Sequence, residues 1–107
     1  MSMNALILST LSGLNVPVEY IDYSGSSSTY VTFFFYNEQG ALYADDVEQE
    51  TFYGLQVDVW SKSDYTELVK TIKDQLAEAG FARNFAIDLF EDDTKIYHKS
   101  LRFNYAN

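Results

Sequence analysis

The sequence predicts an α+β fold: one mostly antiparallel sheet of four to five strands with two helices packed on one face, in the order α-β-β-β-α-β-β. Three stretches carry that reading. From Tyr53 to Phe81, a run alternating every second residue passes directly into a run with spacings of three and four. YVTFFFY, Tyr30 to Tyr36, is built of the aromatic and β-branched residues that strands favour. The last stretch, from Phe85 onward, alternates on both sides of a polar turn, which is the pattern of a closing hairpin.

Taken in order, Met3, Leu6, Ile7, Leu11 and Leu14 have helical spacing and predict a first helix over residues 2–12, ended by Gly13. Pro17 suits a strand start, and Val16, Val18 and Tyr20 predict a first strand running to Tyr23. The small polar segment SGSSST, Ser24 to Thr29, reads as a hairpin loop. In the second strand Tyr30, Thr32, Phe34 and Tyr36 share one side, and Val31, Phe33 and Phe35 the other. Apolar groups on both sides suggest a central strand or a face that a partner covers. Asn37 to Glu50 shows a turn signal at Asn37–Gly40, five acids and little periodicity. It is expected to be a long loop, and loops of that length are usually functional or disordered.

Thr51 to Trp60 returns as the third strand, with Tyr53, Leu55, Val57 and Val59 turned inward. Trp60 interrupts the polar face and suggests packing at a sheet end or a partner surface. The helix that follows carries a stripe of Tyr65, Leu68, Val69, Ile72, Leu76 and Ala79. Ser63 or Asp64 can cap its start, and Asp64 with Glu67 has capping-box spacing. Gly80 fits the left-handed position past its end, with Phe81 folding back on Leu76. From Asp64 to Ala79 the helix would span about 24 Å. The expected core is therefore Leu55, Val57, Val59, Leu68, Val69, Ile72, Leu76 and Phe81. Phe85, Ile87 and Leu89 mark a fourth strand, Glu91–Lys95 a turn, and Tyr97 to Tyr105 a fifth strand.

Length sets one domain, residues 1–107. At 47% hydrophobic the chain can bury a core without metal or disulfide, and with no cysteine it has neither a thiol nucleophile nor a thiolate site. No apolar run reaches the length of a membrane span, so no membrane association is expected. Net charge is −9, unevenly spread. Residues 1–61 hold eight acids and no lysine or arginine, whereas residues 62–107 hold eight acids and all seven bases. A nucleic-acid reader displaces counterions with basic side chains, so sequence-specific nucleic-acid binding is not expected. The base-free half suits solubility, a basic partner, or a surface that repels a polyanion.

The chemistry-bearing residues form no recognisable constellation. His98 stands alone in an alternating strand. Asp45–Asp46 and Asp92–Asp93 lack the spaced oxygens and glycine of a calcium loop. There is no phosphate-cradling glycine loop or nucleophile elbow, and Asp58 is a single carboxylate beside Trp60. The expectation is a protein that is not an enzyme, with no catalytic residue, cofactor or metal.

The run LQVDVWSKSDYTELVKTIKDQLAEAGF resembles the tail-completion, or tail-to-head joining, proteins of long-tailed bacteriophages and prophages. There a strand ending in a V-D-V-W-S-like motif enters a long helix closed by Gly-Phe, and a hairpin follows, here DLFEDDTKIYHKSLRFNY. The N-terminal half matches only in layout. The resemblance implies a virion protein of the tail or neck, made and assembled in the bacterial cytoplasm. It would cap the tail tube as a ring, commonly a hexamer, and meet tail-tube and head-connector proteins while DNA passes through the lumen. Under that reading Glu38, Asp45, Asp46, Glu48 and Glu50 are the acids expected to face the lumen or a partner. The alternative is an acidic inhibitor or DNA mimic that occupies the basic groove of a nucleic-acid-handling protein.

Overall fold

The computed structural model describes residues 2–44 and 47–106, with backbone alone for 39–44, 47–50 and 106. The elements are α1 (Met3–Thr10), β1 (Val18–Tyr20), β2 (Thr29–Ala44), β3 (Val47–Ser61), α2 (Thr66–Glu78), β4 (Ala82–Glu91) and β5 (Ile96–Ala106). That is the predicted order. The five strands form one sheet ordered β1-β2-β3-β5-β4. It is mixed, not the mostly antiparallel sheet expected: β1 runs parallel to β2, with Val18, Glu19 and Tyr20 opposite Val31, Thr32 and Phe33, and the other neighbours are antiparallel.

The first strand is shorter than predicted because the backbone turns at Ile21. Its φ is 69°, and the Asp22 N–H donates to the Tyr20 carbonyl at 2.8 Å, closing a γ-turn of the rare positive-φ kind. The segment from Ile21 onward therefore is not a hairpin loop. It carries the chain back so that β2 starts beside β1 in the same direction. Tyr23 stacks on Tyr30 with ring centroids 4.4 Å apart, and its hydroxyl accepts from the Ser27 N–H.

The largest departure is at residues 37–50, expected to be a loop. β2 continues through residues 37–44 and β3 includes residues 47–50, and the two strands are antiparallel and paired from Thr29–Ser61 to Ala44–Val47. Register shifts fall between Phe35 and Asn37, Gly40 and Leu42, and Leu42 and Tyr43. Each such irregularity disturbs the side-chain alternation, and this erases the periodic signal from the sequence. β5 ends its pairing at Ala106 opposite Phe52. Beyond that point β2 and β3 form a two-stranded ribbon, and among the described residues no third strand pairs with it. Fifteen residues of β3 extend about 50 Å, which accounts for the long axis of a molecule measuring 52 × 26 × 24 Å.

Both helices lie on one face of the sheet, where one cluster is buried. β2 contributes Val31 and Phe33, β3 Leu55, Val57 and Val59, and β5 Leu101 and Phe103. α1 adds Ile7 and Leu11; α2 adds Val69, Ile72 and Leu76, and Phe81 closes it. Of the expected core residues, only Leu68 is partly exposed at the rim. α1 starts at Ser2, whose hydroxyl accepts from the Ala5 N–H at 3.1 Å.

α2 begins one residue later than its capping-box spacing suggests. The Asp64 carboxylate accepts from the Thr66 N–H and hydroxyl, and Tyr65 occupies the cap position without a side-chain bond. Its other end closes as predicted. Gly80 has φ 101°, the Phe81 N–H donates to the Leu76 carbonyl at 2.9 Å, and the Gly80 N–H to the Ala77 carbonyl at 3.1 Å. Gly80→Ala should destabilise the fold by about 1 kcal/mol or more, because a Cβ is strained at that φ. It would also stand 3.1 Å from the Tyr105 ring. Thermal unfolding of the variant checks this.

Candidate functional site

The helices leave the second face of the sheet uncovered, and its centre is polar. Alternation places Thr32 of β2, Asp58 and Trp60 of β3, and His98, Ser100 and Arg102 of β5 there. Register sets Trp60 beside His98, Asp58 beside Ser100 and Gln56 beside Arg102. A continuous web results. His98 Nε2 donates to Asp58 Oδ1 at 2.8 Å. The Gln56 amide donates to both Asp58 oxygens at 3.1 and 3.2 Å. Arg102 Nε donates to Gln56 Oε1 at 3.1 Å. Although no helix covers this face, Asp58 and His98 are only 5% and 9% exposed.

A row of rings runs beside them. Trp60 stacks on His98 at 3.7 Å between centroids and 12° between planes. Tyr30 lies parallel to Trp60 at 5.9 Å, and the Trp60 indole N–H donates to the Thr32 hydroxyl at 3.2 Å. With Tyr23 stacked on Tyr30, four rings cross the face. Burial first, then the negative charge of Asp22, holds the Tyr30 hydroxyl pKa above its ordinary value. The Arg102 guanidinium lies 4.9 Å from the Tyr36 ring and 5.5 Å from that of Phe85. His98 Nδ1 has no hydrogen-bond partner among the described residues. Glu91 Oε1 stands 3.9 Å from it.

The residues singled out from the sequence are thus distributed as follows. Trp60 packs within the face, between Tyr30 and His98. Among the acids, Glu38 is exposed on β2 opposite Tyr53. Glu48 and Glu50 lie on the ribbon opposite Tyr43 and Leu42. Asp45 and Asp46 lie outside the described residues. Sequence reasoning considered Asp58 and His98 singly and missed their pairing. The available signal was parity: Asp58 and Trp60 share one side of β3, and His98 sits on the matching side of β5.

A second polar cluster lies where α2 meets β4, in a groove of about 320 Å³ lined by Tyr65, Val69, Lys73, Asp88 and Lys99. The Tyr65 hydroxyl donates to Asp88 Oδ1 at 2.8 Å, and Lys99 Nζ to Asp88 Oδ2 at 3.1 Å. Those two bonds, Tyr65 first, hold the Asp88 pKa below the usual carboxylate value. Burial, then the Asp88 bond, pushes the Tyr65 pKa up to about 12. Burial and then the nearby charges of Arg83 and Lys99 hold the Lys73 pKa down. The Asp88 contribution is present above its unfolded pKa and is lost as pH falls through the lower folded one. The Tyr65 contribution is full below its unfolded pKa and is lost as pH rises through about 12. Tyr65→Phe should therefore raise the Asp88 pKa toward its ordinary value and weaken this contact across the range between those limits. An NMR titration of the Asp88 carboxyl measures the shift.

No group of three or more histidine, cysteine, aspartate or glutamate side chains arranged to hold a metal ion occurs among the described residues. No helix in them is long and apolar enough to cross a membrane. No protein-family model matches the chain, and no curated protein does. Among solved structures, a chain in the virion of a native gene transfer agent (GTA) particle matches with a TM-score of 0.54 and 14% sequence identity. The match covers 95% of this chain and 84% of that one. At such identity the likeness is one of fold.

Proposed function

We propose that the chain is a non-enzymatic structural component of a phage-like virion, which caps the tail tube as a ring and joins the tail to the head connector. The observation that carries this reading is the fold shared over 95% of the chain with a virion chain. The V-D-V-W-S strand, the Gly-Phe-closed helix and the terminal hairpin support the tail-completion reading within that class. The ribbon supports it too, since a hairpin reaching past its own sheet suits contact with a neighbour along the particle axis. An isolated two-stranded ribbon is marginal in water, and packing against another protein would stabilise it.

The charge fits a channel for DNA better than a site that binds it. Duplex DNA carries one negative charge per roughly 1.7 Å of axis, and the base-free half of the chain offers no lysine or arginine to hold it. Glu38, Glu48 and Glu50 belong to that half. Replacing these three by lysine should leave the monomer folded and create DNA retention that weakens with salt, as counterions screen charges beyond about 8 Å. A gel-shift titration of the variant at two salt concentrations checks it.

The ring itself is tested by counting copies of the chain in purified particles by quantitative mass spectrometry. About six per particle is the expected value for a hexameric cap; one per particle would overturn the ring. The competing reading, an acidic DNA mimic, rests on the same base-free half. It would be favoured if the free protein bound one basic nuclease or repressor tightly, in a salt-sensitive way, and were missing from particles.

A further inference from the structure

One end of the uncovered face carries a recess that the web described above does not use. Register lays Tyr30 of β2 opposite Trp60 of β3, Trp60 opposite His98 of β5, and His98 opposite Leu89 of β4. Alternation then sets Glu91 on the same face as Leu89, one step beyond His98. The polar turn that follows brings Asp93 and Thr94 round to it. The result is an open recess of about 380 Å³, lined by Tyr30, Trp60, Glu91, Asp93, Thr94 and Ile96.

Aromatic rings and carboxylates thus share one space. The Tyr30 and Trp60 rings lie 16° from parallel, and the faces of such rings attract cations. Glu91 and Asp93 are exposed, and among the described residues neither forms an ion pair with a lysine or arginine. Asp92 stands between them in the sequence, and Asp22 is close enough to act on the Tyr30 hydroxyl. Lys95 ends the same turn but lines none of the recess.

A buried group points to the same kind of ligand. His98 is 9% exposed, and its Nε2 donates to Asp58, so in the neutral ring Nδ1 is an acceptor. Nδ1 has no hydrogen-bond partner among the described residues. It faces a second acceptor, Glu91 Oε1, at 3.9 Å. Buried polar atoms are nearly always bonded, so an unpaired one needs a reason. Two acceptors side by side, at the rim of a recess already lined with carboxylates, suit a ligand that brings positive charge and several N–H donors. Arginine fits better than lysine, because a planar guanidinium stacks on rings while its fork of donors meets carboxylates. The chain's own arginine does this on the same face: Arg102 lies 4.9 Å over the Tyr36 ring while its Nε donates to Gln56.

We propose that the recess takes an arginine side chain from a neighbouring virion protein, its guanidinium stacked on Tyr30 and Trp60 and bonded to Glu91 and Asp93. That the partner is a virion protein rests on the reading above. The recess and its choice of ligand rest on these residues alone.

Trp60 is the only tryptophan in the chain, so its emission reports from the recess. The full chain is titrated with a blocked Gly-Arg-Gly peptide, and with the same peptide carrying lysine, or the neutral isostere citrulline, in place of arginine. The arginine peptide should change the emission saturably, the lysine peptide should bind more weakly, and the citrulline peptide should not bind. Glu91→Gln combined with Asp93→Asn should weaken the arginine peptide about tenfold. Asp92→Asn, in the same turn but outside the recess, should leave it unchanged. Circular dichroism and the unfolding midpoint establish that each variant is folded; where the pair fails, Asp93→Asn alone replaces it. No saturable change with arginine would overturn the site, as would a change that citrulline reproduces or the double variant retains. Equal binding of the lysine peptide would overturn the choice of arginine. Self-association of the wild type that the double variant abolishes would give the recess to a second copy and overturn the partner. So would a double variant that no longer binds the peptide yet enters purified particles at the wild-type copy number. Absence of the wild-type chain from particles would count against the virion reading and leave the peptide result standing.

Discussion

Leu76→Ala is expected to destabilise the protein by about 2–5 kcal/mol, the usual range for emptying a leucine-sized space in a core. Leu76 has no exposed surface and lies in the same buried cluster as Val57 and Leu101. Its carbonyl also accepts the Phe81 N–H that closes the helix. A void under that turn therefore loosens the entry to β4 as well as the packing of α2. Leu68→Ala, on the same helix but partly exposed, should cost clearly less. Urea unfolding of both variants separates them, since a stability loss moves the midpoint without changing the slope. An unmoved midpoint for Leu76→Ala would mean that α2 does not pack as described.

The second large effect is expected on the uncovered face. His98→Ala should cost about 3 kcal/mol, because it leaves a buried carboxylate without its ring partner. The same substitution removes the ring on which Trp60 stacks at 3.7 Å. Asp58→Val should cost a similar amount by stranding His98 Nε2. The double variant Asp58→Val with His98→Val should lose much less than the sum of its parts, since replacing a whole buried pair by apolar groups is often nearly neutral. A cycle of four unfolding curves yields the coupling. Costs that add to within about 0.5 kcal/mol would show that the two residues act separately.

How far the sequence reached depends on how local each signal is. α2 and its closing turn were legible because stripe, glycine and Phe81 all lie within one short segment. The helix start falls one residue beyond the expected cap because Asp64 bonds to Thr66, a competing local pattern. β1 was read too long because nothing in the composition of Ile21 announces a positive φ. The ribbon was hidden by its irregularities: a register shift at Phe35/Asn37 followed by Gly40 looks like a turn to any period-based reading. The Asp58–His98 pair was missed for another reason. Its members are 40 residues apart, and only the β3–β5 register brings them together.

The proposed role of this chain in joining tail to head is tested by electron microscopy of particles assembled in its absence. Filled heads and finished tails are expected to accumulate separately, with joined particles recovered when the purified protein is added back. Joined head–tail particles at the normal frequency without the chain would contradict it.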